Sequence, residues 1–233
     1  VGSIPSYTHL RDVIDLLADP RLGPSMVSGN YEVVGAVPIG AGYFFVNDRS
    51  INNLSKAAGK RFAVFDWDKS QAEMIRMIGA QPVSADVTTF AGKFNNGQVD
   101  IVVAPIYAYK PMELYKGLGK NGGIARFPVI QITFQIVVHK DKFPAGFGQK
   151  SREYVSRQVP RFFGLIRNTE REVESKYWLG VPLEERDGYA SVMREMRIHL
   201  TKAGYYEPRM MSLLKRVRCK REPGDAECAL KDE

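Results

Sequence analysis

The sequence predicts an α/β protein built on a parallel sheet, and three observations lead there. From Arg61 to Val103 the chain alternates extended and helical patterns, its extended runs are short and apolar, and helix start and stop signals fall between them. Strands of that composition are buried on both faces, and parallel neighbours need right-handed helical crossovers that cover those faces.

The first element is a helix over residues 11–17. Two strands follow, Tyr31–Val34 and Tyr43–Val46, rich in β-branched and aromatic residues and separated by Pro38-Ile39-Gly40-Ala41-Gly42. They read as part of a sheet whose earlier strands lie outside the sequence. Arg61–Phe65 is the next strand, and Ser70 with Glu73 three residues on forms a capping-box signature for a helix that Gly79 ends. Pro82–Ala85 is extended, Asp86 caps a second helix with Phe90 and Phe94 on one face, and Val99–Val103 is a third strand.

A longer strand begins after Phe127. Ile130, Ile132, Phe134, Ile136 and Val138 are apolar, while Gln131, Thr133 and Gln135 between them are polar. Side chains alternate across a strand, so one face is expected to be buried and the other to show two amides and a hydroxyl. A strand of this length suits a crossing between two lobes. After Gly146 the chain turns helical, with Tyr189, Val192, Met193, Met196 and Leu200 at helical spacing before a Gly204 stop, and Met210, Met211, Leu213, Leu214 and Val217 in a last helix. These methionines read as core filler.

With 233 residues, 44% hydrophobic and 25% charged, the chain has globular composition and length for one large domain or two small lobes. No apolar run reaches the ~20 residues that span a bilayer. The sequence opens at Val1 without a basic-then-apolar leader, which leaves export open: either a leader has been removed or the sequence starts inside a longer chain. Lys+Arg 33 against Asp+Glu 26 gives +7, much of it late, in Arg209, Lys215, Arg216, Arg218, Lys220 and Arg221. That run is expected to be a solvated helix face. A nucleic-acid role would rest on charge alone, with no finger, RNP-type strand or helix-turn-helix beside it, so no nucleic acid is expected as partner. Cys219 and Cys228 flank the turn-forming Pro223-Gly224. A small disulfide loop there is worth about 2–3 kcal/mol and favours an oxidising compartment; the alternative is two unrelated thiols.

Enzymatic readings fare poorly. His9, His139 and His199 fall on different elements with no partner at ligand spacing, so neither a metal site nor a triad is signalled. Gly40-Ala41-Gly42 and Gly117-Leu118-Gly119 match no phosphate loop, and no cofactor is expected. Function falls instead to the loop Asp66-Trp67-Asp68-Lys69, which lies beyond the carboxyl end of a strand, where α/β sheets bind ligands. Two aspartates there favour a cationic or amine-bearing ligand, and Phe65, Trp67, Tyr107 and Tyr109 offer aromatic faces worth about 0.5–2 kcal/mol each to a cation. The same residues also carry a structural reading, in which both aspartates cap the helix and Trp67 packs over it.

Four segments in order and spacing, Gly59-Lys60-Arg61-Phe62-Ala63-Val64, Gln71-Ala72-Glu73-Met74, Gly79-Ala80-Gln81-Pro82-Val83 and Asn96-Gly97-Gln98-Val99-Asp100, resemble the DctP-like solute-binding proteins of TRAP transporters. The upstream stretches Ile4–Leu17 and Tyr31–Asn47 and the downstream stretch Phe134–Phe143 fit as well. The chain is similar above all to the AdeT-like group of such receptors. The resemblance implies a two-lobed, type II periplasmic-binding-protein-like α/β fold with no enzymatic activity, and a periplasmic location. Lobe I is expected over residues 1–62 and 134–233, lacking its N-terminal strand and helix, and lobe II over 63–133. The resemblance implies a small-molecule ligand between the lobes and membrane transporter subunits as partners; on their polar and aromatic character Tyr43, Asp66, Trp67, Tyr107, Gln131, Thr133 and Gln135 are expected to line the cleft. Where the resemblance would place a carboxylate-clamping arginine and an asparagine, this chain has Ala63 and Ala104, so the usual clamp is not expected. An incomplete first lobe would expose a sheet edge and invite self-association. The alternative is a periplasmic accessory or interaction protein of a multidrug or aminoglycoside efflux system, a role that the label carried by the AdeT-like group implies.

Overall fold

The computed structural model describes residues 1–233, apart from the side chains of residues 183 and 184. The chain opens with α1 (Tyr7–Leu17), capped by the Ser6 hydroxyl, and a two-residue β1 (Val27–Ser28) that turns into β2 (Tyr31–Val46). β2 is one strand of 16 residues where the sequence predicts two. It passes the glycine-rich stretch unbroken because the register shifts between Pro38 and Gly40, where Gly40 takes a φ of +122°. Gly42 matters for a different reason: a Cβ there would lie 2.6 Å from a methyl of Ile130 on the neighbouring strand.

After the short α2 (Leu54–Ala57), the predicted parallel layer appears as β3 (Arg61–Phe65), α3 (Lys69–Met77), β4 (Gln81–Ala85), α4 (Phe90–Asn95) and β5 (Ile101–Pro105). The cap of α3 is Asp68 and not Ser70: the Asp68 carboxylate accepts from the Gln71 amide at 3.1 Å and from the Ser70 hydroxyl at 2.6 Å. Glu73 faces His199 instead of closing a capping box. The carboxylate two residues earlier outcompetes a hydroxyl for the free helix amides.

The rest comprises α5 (Tyr115–Leu118), β6 (Gly123–Ala125), β7 (Ile130–His139), α6 (Phe147–Arg171), β8 (Trp178–Leu179), α7 (Leu183–Lys202) and α8 (Pro208–Arg221). All eight strands join one mixed sheet in the order β4-β3-β5-β2-β6-β8, with β1 and β7 also on β2. β7 runs antiparallel along residues 31–42 of β2, and β5 takes over at residues 42–46. These two long strands therefore carry the chain between two groups of elements.

In the first group α6 covers β2, with Val159 and Phe163 meeting Leu10 and Ile14 of α1. Arg152 of α6 is 5% exposed and donates to Glu32 at 2.8 Å and to the Val33 carbonyl at 2.9 Å, fixing the helix to the strand. In the second group the sheet is covered on both faces, as predicted. Phe45, Phe94 and Leu114 pack on the α4–α5 side, and Phe62, Val64 and Ile75 on the α2–α3 side. α7 returns across that second group, with Tyr189 and Met193 near Phe44 and Val103, while α8 packs on α1 through Met211 and Leu214.

Two further expectations are corrected. The apolar face of β7 is not buried: Phe134 is 60% exposed and Ile130 and Ile136 are each 41% exposed. Alternation reports which face a strand is shaped to bury, not how far the neighbouring layers reach over it. The late basic run is not simply a solvated face, since Lys215 and Arg218 are buried. Arg218 pairs with Glu227 and Glu233, Lys215 donates to the Leu230 carbonyl at 2.5 Å, and Arg221 pairs with Asp12. The expected Cys219–Cys228 disulfide is present and ties α8 to the segment that brings Glu227 to these cations. No described helix is long and apolar enough to cross a membrane.

Candidate functional site

Three strands meet at Gly42 of β2, which is paired to Pro105 of β5 on one side and to Ile130 of β7 on the other. One step along, Tyr43 pairs with Ala104, and one step back Ala41 pairs with Gln131. The carboxyl tips of the parallel strands end beside this crossing, with the Asp66 amide bonded to the Ala85 carbonyl at 3.0 Å. The structure therefore brings Tyr43, Tyr107 and Gln131 to one crossing, with Asp66 and Trp67 on the adjoining tip.

Thr133 and Gln135 are not at the crossing. They sit opposite Pro38 and Ala36, with Gln135 some 20 Å along the ladder from Tyr43. The Gln135 amide donates to the Thr133 hydroxyl at 2.9 Å. Trp67 is 70% exposed and stacks on Phe65 with ring centres 5.3 Å apart. Asp66 is exposed, and the Gln131 carbonyl oxygen is buried with no hydrogen-bond partner among the described residues.

Four further side chains complete the crossing. Glu170, in the last turn of α6, accepts from the Tyr7 hydroxyl at 2.5 Å and from the Tyr43 hydroxyl at 3.1 Å. The Tyr7 oxygen accepts in turn from the Ala41 amide at 3.1 Å. Burial first, and the neighbouring Glu170 carboxylate second, push both phenols well above their ordinary range, so each remains a neutral donor. The Tyr43 ring meets Trp178 edge-on at 5.3 Å, and the Arg126 guanidinium lies 5.1 Å over the face of the same indole. Arg126 has no ion-pair partner among the described residues. The sequence carried a signal for Glu170: Phe163, Ile166 and Glu170 follow helical spacing, so an acid sits on the face that α6 buries.

The crossing is narrow. The space walled by Tyr7, Tyr107 and Glu170 measures about 10 Å³, room for a single water. Ala63 and Ala104 lie within the apolar cluster on the same side of the sheet as Tyr43, 6% and 1% exposed. The chemistry assembled at the crossing is thus a carboxylate, two phenols, an indole and a guanidinium.

The family model described as "Solute-binding protein AdeT 1/2" matches residues 1–233. The chain belongs to that family. Among curated AdeT relatives it is 51% identical to the probable solute-binding protein AdeT1 of Acinetobacter baumannii, over all of this chain and 77% of AdeT1. It is 27% identical to AdeT2 of the same organism, over 99% of this chain and 97% of AdeT2. Solved TRAP periplasmic solute-binding proteins share the fold. The one from Ralstonia eutropha with bound 2-acetolactate superposes with a TM-score of 0.75 at 12% identity, over 94% of this chain and 72% of that one. The ectoine-binding protein of the Halomonas elongata TeaABC transporter gives 0.72 at 12% identity, over 95% and 75%. The AdeT 1/2 chain therefore has the two-lobed type II α/β architecture of receptors, which bind solutes and carry out no chemistry on them.

Proposed function

We propose that this AdeT 1/2 protein captures a small amine-bearing solute at the crossing of β2, β5 and β7, in the periplasm, and presents it to a membrane transporter. The observation that carries the reading is Glu170. A carboxylate held by two neutral phenols, with Trp178 edge-on to the Tyr43 ring, suits a cation, the aromatic faces adding to the charge. Arg126, over the Trp178 indole, suits a solute that also carries a carboxylate. Ala63 and Ala104 leave the usual clamp without its arginine and asparagine, so the charge order of the site is inverted relative to a receptor for simple organic acids. Of the structural neighbours, the Halomonas elongata protein is named for ectoine and the Rhodoferax ferrireducens protein was solved with malonate, which makes those two solutes informative probes.

We take residues 63–133 as one lobe and the flanking segments 1–62 and 134–233 as the other. β8 and α7 return to pack beside the former. Because the crossing holds room for one water, entry requires the lobes to swing apart about β2 and β7, and binding shifts the population back to the closed form. A thermal-shift panel of ectoine, putrescine and malonate tests the proposal. Ectoine or putrescine is expected to raise the melting temperature more than malonate, and Glu170→Gln is expected to weaken the stabilising amine at least tenfold by calorimetry. Stabilisation by malonate alone, undiminished in Glu170→Gln, refutes it.

One observation favours a second role beside this one: β7 exposes a free edge and an apolar face. Ile130–Val138 carries no charged residue, so two copies can pair this strand antiparallel without opposing like charges. The accessory-protein reading has this edge as its only support.

A further inference from the structure

Adjacent residues of β2 point to opposite faces of the sheet, so Phe44 looks away from the crossing that Tyr43 faces. Behind it, with Phe44, Phe62 and Val103 as its floor, a cavity of about 280 Å³ lies between α3 and α7. The two helices meet across its rim where His199 lies 3.3 Å from Glu73, and Tyr206, in the turn after α7, brings its hydroxyl 4.0 Å from the Met74 sulfur. Protein interiors are close-packed, and an apolar void of ~150 Å³ already binds benzene. This one is nearly twice that size.

Its chemistry is uneven. Met74 and Met196 line the walls, with flexible thioethers that adapt to an aromatic ring and contact it favourably. Among the described residues, Asp68 is the one carboxylate on the lining. One of its oxygens is taken by the Gln71 amide and the Ser70 hydroxyl, and the other has no hydrogen bond among the described residues. A donor on a bound molecule would find that oxygen, and an anion would be repelled by it.

We propose that this cavity is a second ligand site, separate from the crossing, for a small aromatic molecule carrying one hydrogen-bond-donating group, an alcohol or an amine. The ring lies among the methionines and the donor meets Asp68. The test is calorimetric titration of the whole chain with benzyl alcohol, benzylamine and benzoate. Benzyl alcohol and benzylamine are expected to bind at least tenfold more tightly than benzoate. Met74→Trp fills the cavity and is expected to weaken both at least tenfold while the response to ectoine or putrescine stays as in the parent; Ile78→Phe repeats the test if that variant does not fold. Asp68→Asn keeps the cap, since asparagine serves there as well as aspartate, and is expected to shrink the discrimination against benzoate to less than threefold. Binding unchanged in the filled variants, or no binding of either donor ligand to the parent, overturns the proposal.

Discussion

Glu170 shows what one residue contributes and how it is hidden. Its hydrogen bonds to Tyr7 and Tyr43 join α6, α1 and β2 at one carboxylate oxygen, so the group that would hold a cation also ties together the elements that meet there. Asp100 is a purely structural counterpart. Its carboxylate accepts from the Arg61 guanidinium at 2.7 and 3.0 Å, from the Arg61 amide at 2.9 Å and from Asn47 at 3.2 Å. The Arg61 hydrogen bonds dominate, and against the opposing effect of burial they pull its pKa from 3.8 to about 2. A depressed acid stabilises the fold above its unfolded pKa and loses that contribution as pH falls through the folded value. Asp100→Asn is therefore expected to cost about 1 kcal/mol at pH 7, after allowance for solvent screening, and only a small fraction of that near pH 2. Urea titrations at both pH values check this, and an equal cost at each would remove the Arg61–Asp100 pair from the account.

At the scale of elements, β7 and β2 show where periodicity stops informing. The alternation of Ile130 to Val138 marks a strand, and the strand is there, but alternation cannot say whether a layer exists to cover its apolar face. The Pro38–Gly42 stretch looks like a turn because proline and glycine punctuate most chains. Here glycine serves a strand that must pass close to Ile130 and bend at a bulge, so local chemistry and long-range pairing give opposite readings and the pairing wins. The parallel layer from Arg61 to Val103 was legible because its strand composition, its crossover lengths and its helix stops all agree. The exposed strand carries its own prediction. In sedimentation equilibrium the chain is expected to self-associate, and Phe134→Lys, which puts a charge in the middle of the edge, is expected to raise the dissociation constant at least tenfold. A monomer at every accessible concentration would show that β7 does not pair with its own copy.

For the whole molecule, the fold and its family were readable from segments whose order and spacing no single motif conveys. The site was readable only in part. Tyr43 and Gln131 reach the crossing because strand register carries them there, Tyr107 because it lies in the turn just past the end of β5, and Asp66 and Trp67 follow from the rule that ligands sit beyond strand tips. Thr133 and Gln135 share a face with Gln131, but a ladder is longer than a binding site. Tyr7, Arg126 and the stretch carrying Glu170 and Trp178 come from three distant segments, and only tertiary packing brings them together. The solute proposed for this two-lobed receptor binds at the crossing, while the apolar cavity on the far face of the sheet is a separate site for a different ligand. Hydrogen exchange in the presence of whichever of ectoine or putrescine stabilises the chain more tests that most directly. Slowed exchange at residues 41–44, 105–109 and 168–178 is the predicted result; protection confined to 69–78 and 189–196, with the crossing unchanged, would contradict it.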